Sequence, residues 1–255
     1  MIIHTSEQGS PEWHSARASV ITGSMFRVAR TKVNCLDDRQ QAYVDAILAG
    51  KSSAEAMALA GYKAAPKAEG IQRALDGEKV GEYSDAAKDY AFRLAIERIS
   101  GAPLDDAGFE TYAMRRGREM EPEARMEHEV QTGLMIQPCG FITTDDRLFG
   151  ISADGLVEDD GGSEYKCLIS PEEIRRIWFG EDWSKFTDQV QGGLWLTGRK
   201  YWEFCLYCPA LKSINKQLWR RRVERDEQYI EKLEADLMEF KGLVDQYETQ
   251  LRAPA

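Results

Sequence analysis

Ile151-Ser152-Ala153-Asp154-Gly155-Leu156, followed by Ser163-Glu164-Tyr165-Lys166-Cys167, sets an aspartate, then a glutamate ten residues on, then a lysine two beyond the glutamate. Glu164 and Lys166 have one residue between them, so in a strand both side chains point to the same face. Asp154 sits beside a glycine, where a chain usually turns. The run Leu156 to Gly162 reads as a hairpin connection, because Asp-Gly and Gly-Gly supply positive φ at little cost. Such a hairpin folds Asp154 back beside Glu164. Two carboxylates and an ammonium on one patch suit a hard cation such as Mg²⁺, which prefers oxygen ligands and reaches for phosphate oxygens. A metal-bound water becomes a usable nucleophile near neutral pH, and a neighbouring lysine can orient it or offset charge on a phosphate. On spacing alone, the same residues also fit a solvated hairpin with an incidental surface ion pair.

A chain of 255 residues is long enough for one large domain, or for one domain with an insertion. Hydrophobic content of 43% and charged content of 30% fit a soluble globular protein, and no apolar run approaches a membrane span. The stretch Met1 to Glu7 lacks the basic start and apolar core of a signal peptide, so the expected location is the cytoplasm. Of the five cysteines, Cys205 and Cys208 form a CxxC inside an apolar run. With no second CxxC or histidine pair, buried thiols fit them better than zinc. A formal net charge of −10 argues against a general nucleic-acid coat but allows a groove with local positive charge. Arg17, Arg27, Arg30 and Lys32 form one basic segment. Lys216, Arg220, Arg221, Arg222 and Arg225 form another.

Periodicity gives the element order. A short helix follows Pro11, and Ser24 is placed to cap a second one carrying Met25, Phe26 and Val28. A helix start with an arginine nearby is a natural phosphate site, although an ordinary capped helix reads the same way. Residues 36–81 differ in character: three short helices over 40–48, 53–61 and 66–75, with small Ala56 and Ala60 allowing a close crossing. From Tyr43 to Tyr62 this segment resembles the DNA-binding module of phage terminase small subunits. A plain three-helix insertion without a DNA role is the other reading. Long helices are expected over 84–99 and 109–132, the latter interrupted at Pro122 and carrying Glu121. Strands follow at 141–142 and 148–152, then the Asp154 hairpin, helices at 171–179 and 186–196, and strands at 201–207 and 218–223. A C-terminal helix from Glu227 carries the stripe Ile230, Leu233, Leu237, Phe240 and Val244, to pack on the body or on a neighbouring subunit. The fold class is α/β (α+β), a mixed sheet flanked by helices.

Five marks stand in order: Trp13-His14-x-x-Arg17 with Val20-Ile21-Thr22-Gly23-Ser24; Gly117-x-x-x-Glu121; Ser152-x-Asp154-Gly155; Glu164-x-Lys166-Cys167; and Gln189-Val190-Gln191-x-x-x-Trp195. Together they resemble the lambda exonuclease family, also called the YqaJ viral recombinase family, within the PD-(D/E)XK nuclease superfamily. Ala153 replaces the superfamily's proline, a position that shapes the turn and carries no ligand. The resemblance implies a restriction-endonuclease-like core over 1–35 and 82–255, with 36–81 inserted. It implies that Asp154 and Glu164 ligate Mg²⁺ (Mn²⁺ substituting) with the Tyr165 backbone carbonyl, and that Glu121 completes the acidic shell. Lys166 would position or activate the attacking water. Arg17, Ser24, Ser152 and Gln191 would receive a 5′-terminal phosphate. The implied activity is 5′→3′ digestion of one strand of linear double-stranded DNA to mononucleotides, leaving a 3′ overhang. The implied setting is a phage-encoded homotrimer in a bacterial cytoplasm, partnered by a single-strand annealing protein. A restriction-type endonuclease and a non-catalytic DNA-binding or packaging module are the alternatives.

Overall fold

Local chemistry sets the first elements of the computed structural model, which describes residues 1–104 and 111–254. After strand β1 (Ile2–His4), Ser10 accepts a hydrogen bond from the Trp13 N–H at 3.1 Å and Pro11 opens helix α1 (Pro11–Arg17). Strand β2 (Ile21–Thr22) leads through a 3-10 turn, Gly23–Met25, into the one-turn helix α2 (Phe26–Ala29). Ser24 therefore caps nothing; it lies exposed inside the 3-10 turn. The helix is short because Phe26 turns fully inward, against Trp195 and over Gly192, where a Cβ would come within 2.5 Å of its ring.

Residues 30–89 form one compact unit, and 1–29 with 90–255 form another. The smaller unit holds β3 (Lys32–Val33), α3 (Asp38–Leu48), α4 (Ser53–Ala60), α5 (Glu69–Leu75) and β4 (Glu82–Tyr83). Capping boxes Asp37/Gln40 and Ser52/Glu55 start its first two helices, and Gly61 at φ 70° ends the second. Tyr43, Val44, Ala56, Ala60 and Ile71 make its core. The third helix starts at Glu69, three residues later than the expected Pro66.

Helix α6 (Asp85–Ser100) carries the chain from the smaller unit into the larger, with Ser84 accepting from the Ala87 N–H at 3.2 Å. Helix α7 (Tyr112–Thr132) follows; the expected start at Phe109 lies outside the described residues. Pro122 does not interrupt this helix. One missing backbone donor costs a bond, but the flanking turns bury Ala124 and His128 and hold the helix together.

The remaining elements are β5 (Ile136–Gln137), β6 (Phe141–Thr143), β7 (Phe149–Ser152), β8 (Gly155–Val157), β9 (Gly161–Lys166), α8 (Pro171–Gly180), α9 (Thr187–Thr197), β10 (Tyr201–Tyr207), β11 (Leu218–Glu224) and α10 (Glu227–Arg252). They build two mixed sheets, ordered β1-β6-β7-β2 and β11-β10-β9-β8-β5. Strand β7 ends at Ser152 and β8 begins at Gly155, so Asp154 sits where the chain passes from one sheet to the other. The β8–β9 hairpin is real, but its positive φ falls on Glu158. Gly161 and Gly162 lie in β9 for a different reason: Tyr201 and Trp202 cover them, and a Cβ on Gly162 would stand 2.2 Å from Trp202.

Strand β10 is buried along its whole length and runs parallel to β9, with Phe204 opposite Glu164 and Leu206 opposite Lys166. The α10 stripe Ile230, Leu233, Leu237, Phe240 and Val244 is buried against its own chain, and Tyr90 stacks on Phe240 at 5.6 Å. All five cysteines are free. Among the described residues no helix is long and apolar enough to cross a membrane.

Candidate active site

Strand alternation puts Glu164 and Lys166 on one face, and the structure joins them directly: Lys166 Nζ donates to Glu164 Oε1 at 2.6 Å. The Tyr165 N–H between them donates to Asp154 Oδ2 at 2.7 Å. Asp154, Glu164 and Lys166 thus meet at the hairpin. Glu121 comes to them from α7, held by Arg125, whose Nη1 donates to Glu121 Oε1 and to the Asp154 carbonyl, both at 3.2 Å.

Electrostatics show what this cluster lacks. Burial, then repulsion from Glu164 and Glu121, pushes the Asp154 carboxyl well above its ordinary range. Glu121 is also raised, by burial first and by Glu164 further down, against the pull of Arg125. For Lys166, burial works against the charge, but Glu164 and Asp154 outweigh it and hold the ammonium above its ordinary value. Glu164 Oε2 is buried and has no hydrogen-bond partner among the described residues. An orphaned carboxylate oxygen beside two carboxyls that resist ionising is an oxygen set suited to a hard divalent cation. Among the described residues no three such side chains are already drawn tightly round an ion position. Lys166 and Arg125 hold Glu164 and Glu121 instead.

The anion side is built on Arg17. Its Nη1 donates to Ser152 Oγ at 2.9 Å, and its guanidinium lies over Trp13 at 4.2 Å and Phe141 at 5.1 Å. Burial brings its pKa down to about 10, which leaves it cationic at neutral pH. Ser152 is two residues before Asp154, so the cation and the carboxylates share one backbone segment. Ser24 cannot contribute a helix start, because α2 is a single turn.

Gln191 departs from the expectation. It is buried, its Nε2 donates to the Glu224 carbonyl at 3.0 Å, and its Oε1 accepts from the Asp226 N–H at 3.1 Å. That amide fastens the link between β11 and α10. The glutamine that reaches the site is Gln189: Nε2 donates to Glu164 Oε1 at 2.7 Å, and Oε1 accepts from Lys166 Nζ at 3.2 Å. The two are two residues apart on a helix and so face different ways, about 200° apart. The helical phase of α9 gave little signal, since most of the helix is buried, Val190, Gln191 and Leu194 included. Arg125 is a second residue that sequence reading missed, although its place one turn after Glu121 was legible.

The second basic segment is largely neutralised within the protein. Arg220 pairs with Glu203, Arg221 with Glu181, Arg222 with Glu224 and Arg225 with Glu227.

A mixed sheet presenting an aspartate at a strand junction and a Glu-x-Lys on the adjoining strand defines the PD-(D/E)XK class of fold. The profile of the YqaJ-like viral recombinase domain matches residues 12–200, and the chain belongs to that family. Its structure is similar to that of LHK-Exo, an alkaline exonuclease from Laribacter hongkongensis. Against the crystal structure of LHK-Exo in complex with dAMP the TM-score is 0.68 at 23% identity, covering 95% of this chain and 96% of that one. A phage related exonuclease from Haemophilus somnus 129PT gives a TM-score of 0.58 at 15% identity, covering 91% and 96%. Comparison with curated protein sequences gives no match.

Proposed function

We infer that the chain is a deoxyribonuclease, and propose that it is a divalent-cation-dependent 5′→3′ exonuclease acting on the ends of double-stranded DNA. The family and the exonuclease-like fold support the class. One observation supports the direction: a half-buried arginine, Arg17, is bonded to Ser152, which stands two residues before the carboxylate at Asp154. Such a cation suits a terminal phosphate, and its tie to the carboxylate segment would bring that phosphate near the hydrolytic chemistry. Trp13 and Phe141 wall the guanidinium and fix its direction.

Asp154 and Glu164 would hold the cation, with the Tyr165 carbonyl and Glu121 completing the set. Mg²⁺ is the proposed ion, with Mn²⁺ able to substitute. Such an ion supplies Lewis acidity toward phosphate oxygens and toward water. Lys166 stays protonated in the arrangement described, so its first role is to donate to the reacting phosphate and offset its charge. Gln189 holds both Lys166 and Glu164 in place. The expected products are mononucleotides and a 3′ single-stranded tail, the substrate of a single-strand annealing protein. A ring-shaped homotrimer is the proposed assembly. The 36–81 segment is proposed as an added DNA-binding arm.

The test is digestion with Mg²⁺ of three substrates: linear duplex with 5′-phosphate, the same duplex with 5′-hydroxyl, and covalently closed circles. Rapid loss of the first, slow loss of the second and survival of the third is the expected pattern. Cleavage of the circles would make the protein an endonuclease instead.

A further inference from the structure

Helix α7 presents Glu121 to the site and, one turn later, Arg125. We propose that Arg125 is a positioning residue: it sets the Asp154 backbone and the Glu121 carboxylate in the geometry that a divalent cation requires. This rests on the cation-dependent reading above. A single nitrogen, Nη1, donates to both Glu121 Oε1 and the Asp154 carbonyl at 3.2 Å. The Arg125 side chain is only 17% exposed, so little solvent competes for those bonds. It therefore ties helix α7 to the very residue at which the chain leaves one sheet for the other.

The second hold on Asp154 comes back to the same helix. The Tyr165 N–H bonds the Asp154 carboxylate at 2.7 Å, and the Tyr165 hydroxyl lies 3.0 Å from Nδ1 of His128, three residues after Arg125. Both the carbonyl and the carboxylate of Asp154 are thus referred to one face of α7. The competing role for Arg125 is as a plain counter-charge to Glu121, displaced when a cation arrives. The bond to the Asp154 carbonyl separates the two roles, because a neutral carbonyl needs no counter-charge. A counter-charge competes with the metal, so its removal tightens metal binding. A positioning residue supports the metal ligands, so its removal weakens it.

The measurement is Mn²⁺ affinity of the full chain without DNA, read as loss of the free-ion electron paramagnetic resonance signal. Wild type, Arg125→Gln and Arg125→Lys are compared, with melting in chelator to verify each fold. Arg125→Gln is expected to bind about 10- to 100-fold more weakly, the range typical of groups that orient metal ligands. Arg125→Lys keeps one charged donor nitrogen and should fall between the two. Binding by Arg125→Gln that equals or exceeds wild type overturns the proposal. Should that variant fail to fold, the Lys variant decides alone: weaker binding than wild type supports the proposal, and equal or tighter binding overturns it. A wild type that binds Mn²⁺ yet leaves DNA intact removes the nuclease reading and leaves this one standing. A wild type that does not bind Mn²⁺ removes both.

Discussion

Arg17 and Ser152 meet at 2.9 Å across 135 residues of sequence, and this bond is what fastens the helix α1 cation to the strand that leads into Asp154. Removing the guanidinium should therefore act at the DNA end. Arg17→Ala is expected to slow initiation on 5′-phosphorylated duplex by about 10- to 100-fold, the scale of one charge-assisted hydrogen bond pair. The loss should be much smaller on a 5′-hydroxyl end. Comparing initiation rates on the two ends checks it; an equal loss on both would show that Arg17 supports the fold and not the phosphate.

Gln189 and Gln191 stand two residues apart on α9 and should fail in different ways. Gln189→Ala removes the amide that touches Glu164 and Lys166, so turnover should fall at least about tenfold with little change in melting temperature. Gln191→Ala leaves the Asp226 N–H without its partner and should cost about 1–3 kcal/mol of stability, with turnover per folded molecule retained. Denaturant melts and rates on the same two preparations separate the outcomes.

Divalent cations should stabilise the protein in a pH-dependent way. Asp154 and Glu121 are both raised by burial and by carboxylate repulsion, and each must be deprotonated to hold a cation. The rise in melting temperature on adding Ca²⁺ should thus be largest at alkaline pH. It should shrink as pH falls through those raised values. A cation effect independent of pH, or absent at every pH, would count against these two carboxylates as ligands.

His128 gives a separate acid dependence. It is fully buried, and burial first, then Arg220, lowers its pKa to about 4 from an ordinary value of about 6.5. The unfolded chain binds the proton first, so stability is present above about 6.5 and is lost as pH falls towards 4, by up to roughly 3 kcal/mol. Melting temperatures across that window should fall with pH in the wild type and fall less in His128→Gln.

Replacing residues 36–81 with a short linker should reduce duplex affinity while hydrolysis of short ends continues. Gel-shift titration and digestion of a short duplex are the paired measurements. Unchanged affinity and processivity would leave the segment as a plain helical insertion.

Legibility in the sequence followed the reach of each interaction. Local signals were readable: the Ser152-x-Asp154 and Glu164-x-Lys166 spacing and the α10 stripe depend on neighbours a few residues away. The α7 helix running through Pro122 was not readable, because the packing of Ala124 and His128 beneath it is tertiary. The two glycines of β9 looked like turn residues, yet they answer to Tyr201 and Trp202 some forty residues on. The choice between Gln189 and Gln191 depended on the phase of α9 over the sheet, and Ser24 depended on how deeply Phe26 is drawn inward.

The two-residue passage from Ser152 to Gly155 has a mechanical corollary. Its length is a ruler between Ser152, to which Arg17 is bonded, and the Asp154 carboxylate, fixed by backbone at about 3.3 Å per residue. The hairpin loop at 158–160 can lengthen or shorten without disturbing that interval. A single insertion or deletion between Ser152 and Gly155 cannot, so step size along a strand would be written into the backbone and insulated from variation elsewhere in the surface.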